Sequence, residues 1–154
     1  MKKFLSIALA LLMVCVMLPV VALATEKTAS TYEELKSAIS TANDGDTIKL
    51  LADIDLSQTI TVNKAITLNM NGKKLYNTSD LWDKPTAEAD NWSLISVRGS
   101  GNLTITGNGT FAAKENDCYA VDVQESATVT IKNGTFIGNI HAVYVFAGTA
   151  NVEG

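Results

Sequence analysis

Short stretches of alternating apolar and polar residues fill most of the chain after residue 46. The first four cover residues 47–51, 54–56, 59–62 and 66–70, and polar turn residues separate them. Stretches this short do not form stable helices, whereas alternation with a period of two is typical of strands that have one buried face. The pattern therefore predicts an all-β region over residues 46–154.

The second half of this region repeats three sequence markers at a nearly constant spacing. The markers are two aliphatic residues at 95/97, 121/123 and 143/145, the segments 103–105, 129–131 and 150–152, and an Asn-Gly-Thr-Phe at 108–111 and 133–136. Their steps range from 21 to 26 residues. Three markers that keep one variable period indicate stacked structural repeats.

Each repeat contains three short strands, and a single strand of this length cannot bury its apolar face alone. Pairing of every strand with its counterpart one period away would wind the chain into a parallel coil around a shared core. Alternation then predicts the inward positions Ile95, Val97, Leu103, Ile105, Phe111, Val121, Val123, Val129, Ile131, Phe136, Val143, Val145 and Val152.

The Asn-Gly pairs are predicted to bend the chain from one sheet to the next, because both residue types tolerate positive φ. Stacking of the coils would bring Asn108 next to Asn133. The alternative is a tight hairpin at each pair, but hairpins leave the repeat period unexplained.

One helix and one long loop interrupt the strands. Residues 31–45 are predicted to form a helix and turn, because a Ser-Thr pair precedes two glutamates in a capping-box pattern and apolar residues follow at helical spacing. Residues 25–30 are expected to be a flexible leader. Residues 77–92 carry several acidic side chains and two tryptophans, and they are interpreted as an inserted surface loop.

Residues 1–24 are predicted to be a signal peptide. Lys2 and Lys3 form a basic start, residues 4–18 are almost wholly apolar, and the segment ends in Ala-Leu-Ala after a proline. These features are typical of an export signal that is cleaved after Ala24. The alternative is an uncleaved membrane anchor. We expect a protein that is secreted or held at the cell surface, without stable membrane insertion after cleavage.

Charge and side-chain chemistry narrow the classes of function. The chain has a net charge of −4 at pH 7, and nucleic acid is not an expected partner because phosphate binding needs a clustered positive surface. His141 is the single histidine, so no histidine-based metal cluster and no cofactor are predicted. Cys118, the one cysteine left after cleavage, is expected to be a small buried side chain rather than a nucleophile.

Residues 31–39 and 44–50 resemble the start of right-handed parallel β-helix proteins of the pectin-lyase-like superfamily, and residues 103–111 and 129–136 are similar to its coils, especially in large bacterial surface proteins. The resemblance covers about residues 31–154. It implies a right-handed parallel β-helix whose first helix covers the open end of the core. Because the superfamily includes polysaccharide lyases, glycoside hydrolases and non-catalytic adhesins, the resemblance implies no single activity.

The coils are expected to be incomplete on the C-terminal side. Residues 150–154 match only the first part of the unit at 129–136. A bare coil exposes aliphatic side chains and unpaired strand edges. We therefore interpret the chain as the N-terminal part of a longer protein, and we expect further coils or another chain to cover this end.

The candidate binding residues are Asp122 and Tyr144, on an outward stripe of the coil, and Trp82, in the loop. A carboxylate and an aromatic ring on one stripe can contact sugar by hydrogen bonds and ring stacking. The alternatives are a solvated face for the stripe and packing of Trp82 onto the coil. No catalytic residue is predicted: Arg98, the only arginine, matches no lyase motif, and the closeness of Asp117, Asp122 and Glu125 in sequence does not establish the spatial grouping that a hydrolase needs.

The function expected from these features is an exported, non-catalytic surface or adhesion module whose partner is polysaccharide or a cell-surface glycan. The alternative is the N-terminal part of a polysaccharide lyase or glycoside hydrolase whose active site lies on later coils. Both interpretations depend on the export signal and the repeats.

Overall fold

Fourteen strands and one helix make up the regular structure within residues 23–82 and 92–153, the part of the chain that the computed structural model describes. The strands are β1 (Glu26–Ala29), β2 (Thr47–Leu50), β3 (Ile54–Asp55), β4 (Ile60–Val62), β5 (Ala65–Asn69), β6 (Lys74–Tyr76), β7 (Ser93–Val97), β8 (Asn102–Thr106), β9 (Thr110–Ala112), β10 (Tyr119–Val123), β11 (Thr128–Ile131), β12 (Thr135–Ile137), β13 (Val143–Val145) and β14 (Thr149–Val152). Helix α1 spans Tyr32–Ser40.

The predicted signal segment lies outside the described residues, apart from its last two positions. Most of the predicted loop, residues 83–91, lies outside them as well. Within the two described ranges, no helix has the length and apolar character needed to cross a membrane.

The strands form three sheets in which neighbouring strands are parallel. The first sheet has the order β1-β2-β5-β8-β11-β14, the second β12-β9-β6-β3 and the third β13-β10-β7-β4. From β2 onward the chain visits the first, second and third sheets in turn, so each circuit stacks on the one before. Val121 pairs with Ile95 on one side and with Val143 on the other. Pairing one period apart is thereby confirmed, and the fold is an all-β, solenoid-like stack of parallel sheets.

Aliphatic side chains fill the space between the sheets. The inward positions predicted before the last coil are buried: Ile95, Val97, Leu103, Ile105, Phe111, Val121, Val123, Val129 and Ile131. On the last coil, Phe136 and Val143 are half-buried, and the expectation of burial is wrong for Val145 and Val152, which are exposed by 41% and 67%. The strands β12, β13 and β14 are the outer strands of their sheets, so their side chains are packed from one side only.

The Asn-Gly pairs bend the chain between the first and second sheets, as predicted. Asn71 and Asn108 both adopt a φ of 49°, and Gly134 has a φ of 122°. The backbone N–H of Asn108 donates to Oδ1 of Asn133 at 2.7 Å. Stacked asparagines therefore do meet, through a bond from backbone to side chain.

Helix α1 begins at the predicted capping residues. Thr31 is the N-cap, and its Oγ1 accepts a hydrogen bond from the backbone N–H of Glu34 at 3.2 Å. The Glu34 carboxylate accepts one from the backbone N–H of Ser30 at 2.7 Å, so two donors at the helix start are satisfied. Leu35 and Ile39 are buried in the core cluster, and the helix packs on β1 and β2 at the first coil.

The expectation of a flexible leader over residues 25–30 is wrong. Residues Glu26–Ala29 form β1, which pairs in parallel with β2 through the register from Glu26↔Thr47 to Ala29↔Leu50. The free edge of β2 supplies backbone partners for this segment, and the Ala29 side chain is buried beside helix α1. The sequence Glu-Lys-Thr-Ala does not alternate between apolar and polar residues, so hydrophobic periodicity does not predict this strand.

Asp46 joins β1 to the turn that follows helix α1. Its Oδ2 accepts from the backbone N–H of Asn43 at 2.9 Å, and its Oδ1 accepts from the backbone N–H and the hydroxyl of Thr25 at 2.8 and 2.9 Å. The backbone bonds from Asn43 and Thr25 favour the charged carboxylate, and they hold the pKa of Asp46 below its ordinary value.

This lowered pKa predicts a loss of stability in acid. Asp46 contributes stability above the pKa of an unfolded aspartate, about 3.9, and the contribution disappears as the pH falls through the lower folded pKa. We expect the Asp46→Asn protein to lose less unfolding free energy between about pH 5 and pH 2 than the unmodified protein. Urea unfolding across this pH range measures the difference. The exposed Glu115→Gln variant is the control, and equal pH slopes for the Asp46→Asn and unmodified proteins would contradict the prediction.

Candidate functional site

The connections between the second and third sheets lie above one another at one edge of the coil. The described residues of these connections are 77–82 and 92, then 113–118, then 138–142. The backbone N–H of Tyr119 donates to the carbonyl of Trp92 at 2.8 Å, and that of Asn139 donates to the carbonyl of Cys118 at 2.9 Å. Side chains from three successive connections therefore meet at this edge.

Five aromatic side chains, here called the aromatic cluster, pack at this edge: Trp82, Trp92, Tyr119, His141 and Tyr144. The indoles of Trp82 and Trp92 stack with ring centroids 5.7 Å apart, and Trp82 meets the Tyr119 ring edge-on at 5.5 Å. Tyr119 lies 5.0 Å from the ring of Tyr144. Two of the predicted binding residues, Trp82 and Tyr144, are thus brought together through a residue between them that the sequence had not singled out.

The members of the aromatic cluster differ in exposure. Tyr119 is buried, and this burial raises the pKa of its hydroxyl, with a smaller effect from Tyr144. Trp92 and Tyr144 are half-buried, whereas Trp82 remains 41% exposed. Trp82 therefore packs onto the coil and also presents part of its indole to solvent.

Asp117 fixes the backbone that carries Trp82. The carboxylate is buried, and it accepts hydrogen bonds from the backbone N–H groups of Leu81 and Trp82 at 2.8 and 2.9 Å and from Nδ2 of Asn77 at 2.6 Å. Asn77 also donates to the carbonyl of Ser79 at 2.8 Å. These hydrogen bonds therefore hold residues 77–82, the start of the loop, against the next coil.

The thiol of Cys118 lies beside this anchor. It is buried, and its Sγ lies 3.9 Å from Oδ1 of Asn77. Burial is the main cause that raises the pKa of the thiol, and the nearby charge of Asp117 adds to it. The thiol stays protonated at neutral pH, so the prediction of a buried structural cysteine is confirmed.

A groove of about 380 Å³ opens beside Trp82. It is lined by Asp80, Trp82, Asn116, Asp117, Asn139 and Ile140. Asp80 is 71% exposed in its side chain and pairs with Lys114. An indole, two amides and two carboxylates offer both stacking and hydrogen bonds in two directions, although Asp117 already accepts bonds from the loop backbone. This combination is suited to a polyhydroxylated ligand, and we call it the Trp82 groove.

Sequence reasoning missed Asn116 and Asn139. They occupy connections of two successive coils, and their separation of 23 residues lies within the range of the repeat steps. The repeat alignment therefore contained a signal that could have found them. Asn77 and Asp117 are 40 residues apart, and no motif links them.

Asp122 lies in the predicted row, where it pairs with Ser96 and Tyr144. The expectation that it faces solvent is wrong, because the residue is 0% exposed. Its oxygens accept hydrogen bonds from the hydroxyl of Ser96 at 3.0 Å and from Nε2 of Gln124 at 2.6 Å, and Nη2 of Arg98 lies 3.9 Å away. The network satisfies a buried charge, so Asp122 has a structural role.

Two of the three carboxylates that lie close together in sequence are engaged in structural hydrogen bonds. Asp117 holds the start of the loop and Asp122 belongs to a buried network, while Glu125 is exposed. Among the described residues, no three His, Cys, Asp or Glu side chains are grouped so that they could hold a metal ion.

Comparison of the chain with protein-family models, with curated proteins and with solved structures gives no match.

Proposed function

We propose that the chain is an exported, non-catalytic β-solenoid module that contacts polysaccharide through the Trp82 groove. The observation that carries the proposal is the groove itself, where the partly exposed Trp82 lies beside two amides and two carboxylates. Residues 1–24 support export, since they have the features of a cleaved signal.

The proposal includes right-handed winding and kinship with pectin-lyase-like β-helix proteins. Parallel pairing throughout the three sheets supports a β-helix, and connections between parallel strands are right-handed in nearly all proteins. The position of helix α1 at the first coil supports its role as a cap on the core.

The groove is suited to holding one face of a sugar ring. The apolar face of a pyranose packs on the indole of Trp82. The amides of Asn116 and Asn139 donate to and accept from the hydroxyls, and the Asp80 carboxylate accepts from them. Asp117 keeps the platform in place before the ligand arrives, which lowers the entropic cost of binding.

We further propose that additional coils or another chain pack against the last coil. The support comes from its exposed apolar side chains, which are Ile137, Val145, Phe146 and Val152. The outer strands β12, β13 and β14 leave backbone groups that can pair with a further strand.

Removal of the indole is expected to abolish most of the glycan binding. The Trp82→Ala protein should bind its best glycan, chosen from an array, about tenfold or more weakly, because a central aromatic contact carries a large part of the binding energy. Isothermal titration calorimetry measures the change. Phe146→Ala is the matched control, since it removes an exposed ring that does not line the groove.

Two results would refute this function. One is equal affinity of the Trp82→Ala and unmodified proteins for the selected glycan. The other is an array on which the unmodified protein retains no glycan at all.

A further inference from the structure

A second groove, of about 400 Å³, lies between helix α1 and the third sheet. Tyr32 and Lys36 line it from the helix, and Gln58, Asn63 and Lys64 line it from the segments around β4. It shares no lining residue with the Trp82 groove. We call it the Lys36 groove.

The Lys36 groove is basic on an acidic chain. Its lining contains two lysines and no carboxylate, although the chain has a net charge of −4. The Trp82 groove is lined by Asp80 and Asp117 and by no lysine, and a third groove beside helix α1 is lined by Glu33 and Glu34 together with Lys27. A local reversal of charge of this kind attracts an anionic group.

The two lysines have different surroundings. The ammonium of Lys64 donates to the carbonyls of Ser40 and Ala42 at 2.6 and 2.8 Å. It therefore compensates the negative end of helix α1. Lys36 is exposed, its Nζ lies 5.6 Å from the centroid of the Tyr32 ring, and it forms no ion pair within the described parts of the chain. Lys36 is thus the cation that a ligand can reach.

Tyr32 also orients the neighbouring amide. Its hydroxyl donates to Oε1 of Gln58 at 3.3 Å. The oxygen of Gln58 is thereby engaged, and its two N–H donors remain for a ligand. The Lys36 ammonium and the Gln58 amide together offer donors for an acidic group, and the Tyr32 ring adds an apolar flank.

We propose that the Lys36 groove is a second binding site, which takes a sugar bearing an acidic group, either a carboxylate or a phosphate. The acidic group binds between Lys36 and the Gln58 amide, and the ring lies along Tyr32. This site works independently of the Trp82 groove, because the two have different linings and opposite charge.

Three matched disaccharides test this site on the purified protein: cellobiose, cellobiouronic acid and cellobiose phosphate. We expect at least one charged disaccharide to bind and cellobiose to bind more weakly. Lys36→Gln should lower the affinity for the charged disaccharide by about tenfold, because it removes a charge-assisted contact. Binding should also weaken as salt is raised. The better of the two charged ligands identifies the acidic group.

Lys74→Gln is the matched control. Lys74 also lies over a tyrosine ring, with Nζ 4.8 Å from the centroid of Tyr76, but this pair lines none of the three grooves. Glutamine keeps good helix propensity at position 36, so the fold is retained. Three results would each overturn the assignment. Cellobiose could bind as tightly as the charged disaccharides, Lys36→Gln and Lys74→Gln could weaken their binding equally, or neither charged disaccharide could bind.

Discussion

Replacing Phe111 by alanine is expected to lower the free energy of unfolding by about 3–5 kcal/mol. Phe111 is fully buried, and in the second sheet it pairs with Leu75 on one side and with Phe136 on the other. Its ring stacks on that of Phe136, with centroids 4.7 Å apart and planes inclined by 10°. The substitution removes the stack and leaves a cavity that parallel coils above and below cannot close easily.

Urea unfolding followed by circular dichroism measures this effect. Phe136→Ala is the informative comparison, since the same ring pair is lost from a half-buried position on the last coil. We expect its cost to be clearly smaller, because little new cavity forms there. A Phe111→Ala protein that loses less than about 1 kcal/mol would place the ring outside the core and would contradict the coil.

Asp117→Ala is expected to destabilise the protein by about 3 kcal/mol. Alanine removes the acceptor of three hydrogen bonds, from Asn77 and from the backbone of Leu81 and Trp82, in a buried place. Donors left unsatisfied away from water carry the full penalty of desolvation. The same change releases the backbone that positions Trp82, so glycan binding should fall as well.

Thermal unfolding measures the loss of stability, near-ultraviolet circular dichroism of the tryptophans measures the release of Trp82, and calorimetric titration measures the fall in glycan binding. Asp80→Ala is the control, because that carboxylate is largely exposed and its pairing with Lys114 contributes little to stability. Asp117→Asn keeps one carbonyl acceptor, so its stability should lie between that of the Asp117→Ala and Asp80→Ala proteins. An Asp117→Ala protein as stable as the Asp80→Ala protein, with an unchanged tryptophan spectrum, would show that the anchor does not hold the loop.

The stacking of the coils could be predicted because the repeat acts on many positions at once. Ile95, Val121 and Val143 share one alternation and one period, so a parallel register that satisfies one of them satisfies all. Strand β1 could not be predicted in this way. It joins the first sheet through backbone hydrogen bonds to β2, and backbone pairing does not depend on an apolar pattern.

The candidate site was harder to predict for a physical reason. Alternation predicts the side of the sheet on which Asp122 lies. It does not predict which other groups pack on that side, and these groups bury Asp122. The sequence places Trp82 in a loop and Tyr144 in a strand, with no motif that links them. The contact between them runs through Tyr119, and only the three-dimensional stacking of three connections brings these rings together.

The register of the three sheets has a consequence for the evolution of length. Duplication of a whole coil would add one strand to each sheet and lengthen the axis by about 4.8 Å, while every side chain kept its direction. A single residue inserted into β10 would instead send Val121 and Val123 outward and Asp122 inward. Such a protein can gain or lose whole turns, and the steps of 21 to 26 residues show that its connections vary in length, but its strands do not tolerate the insertion of one residue.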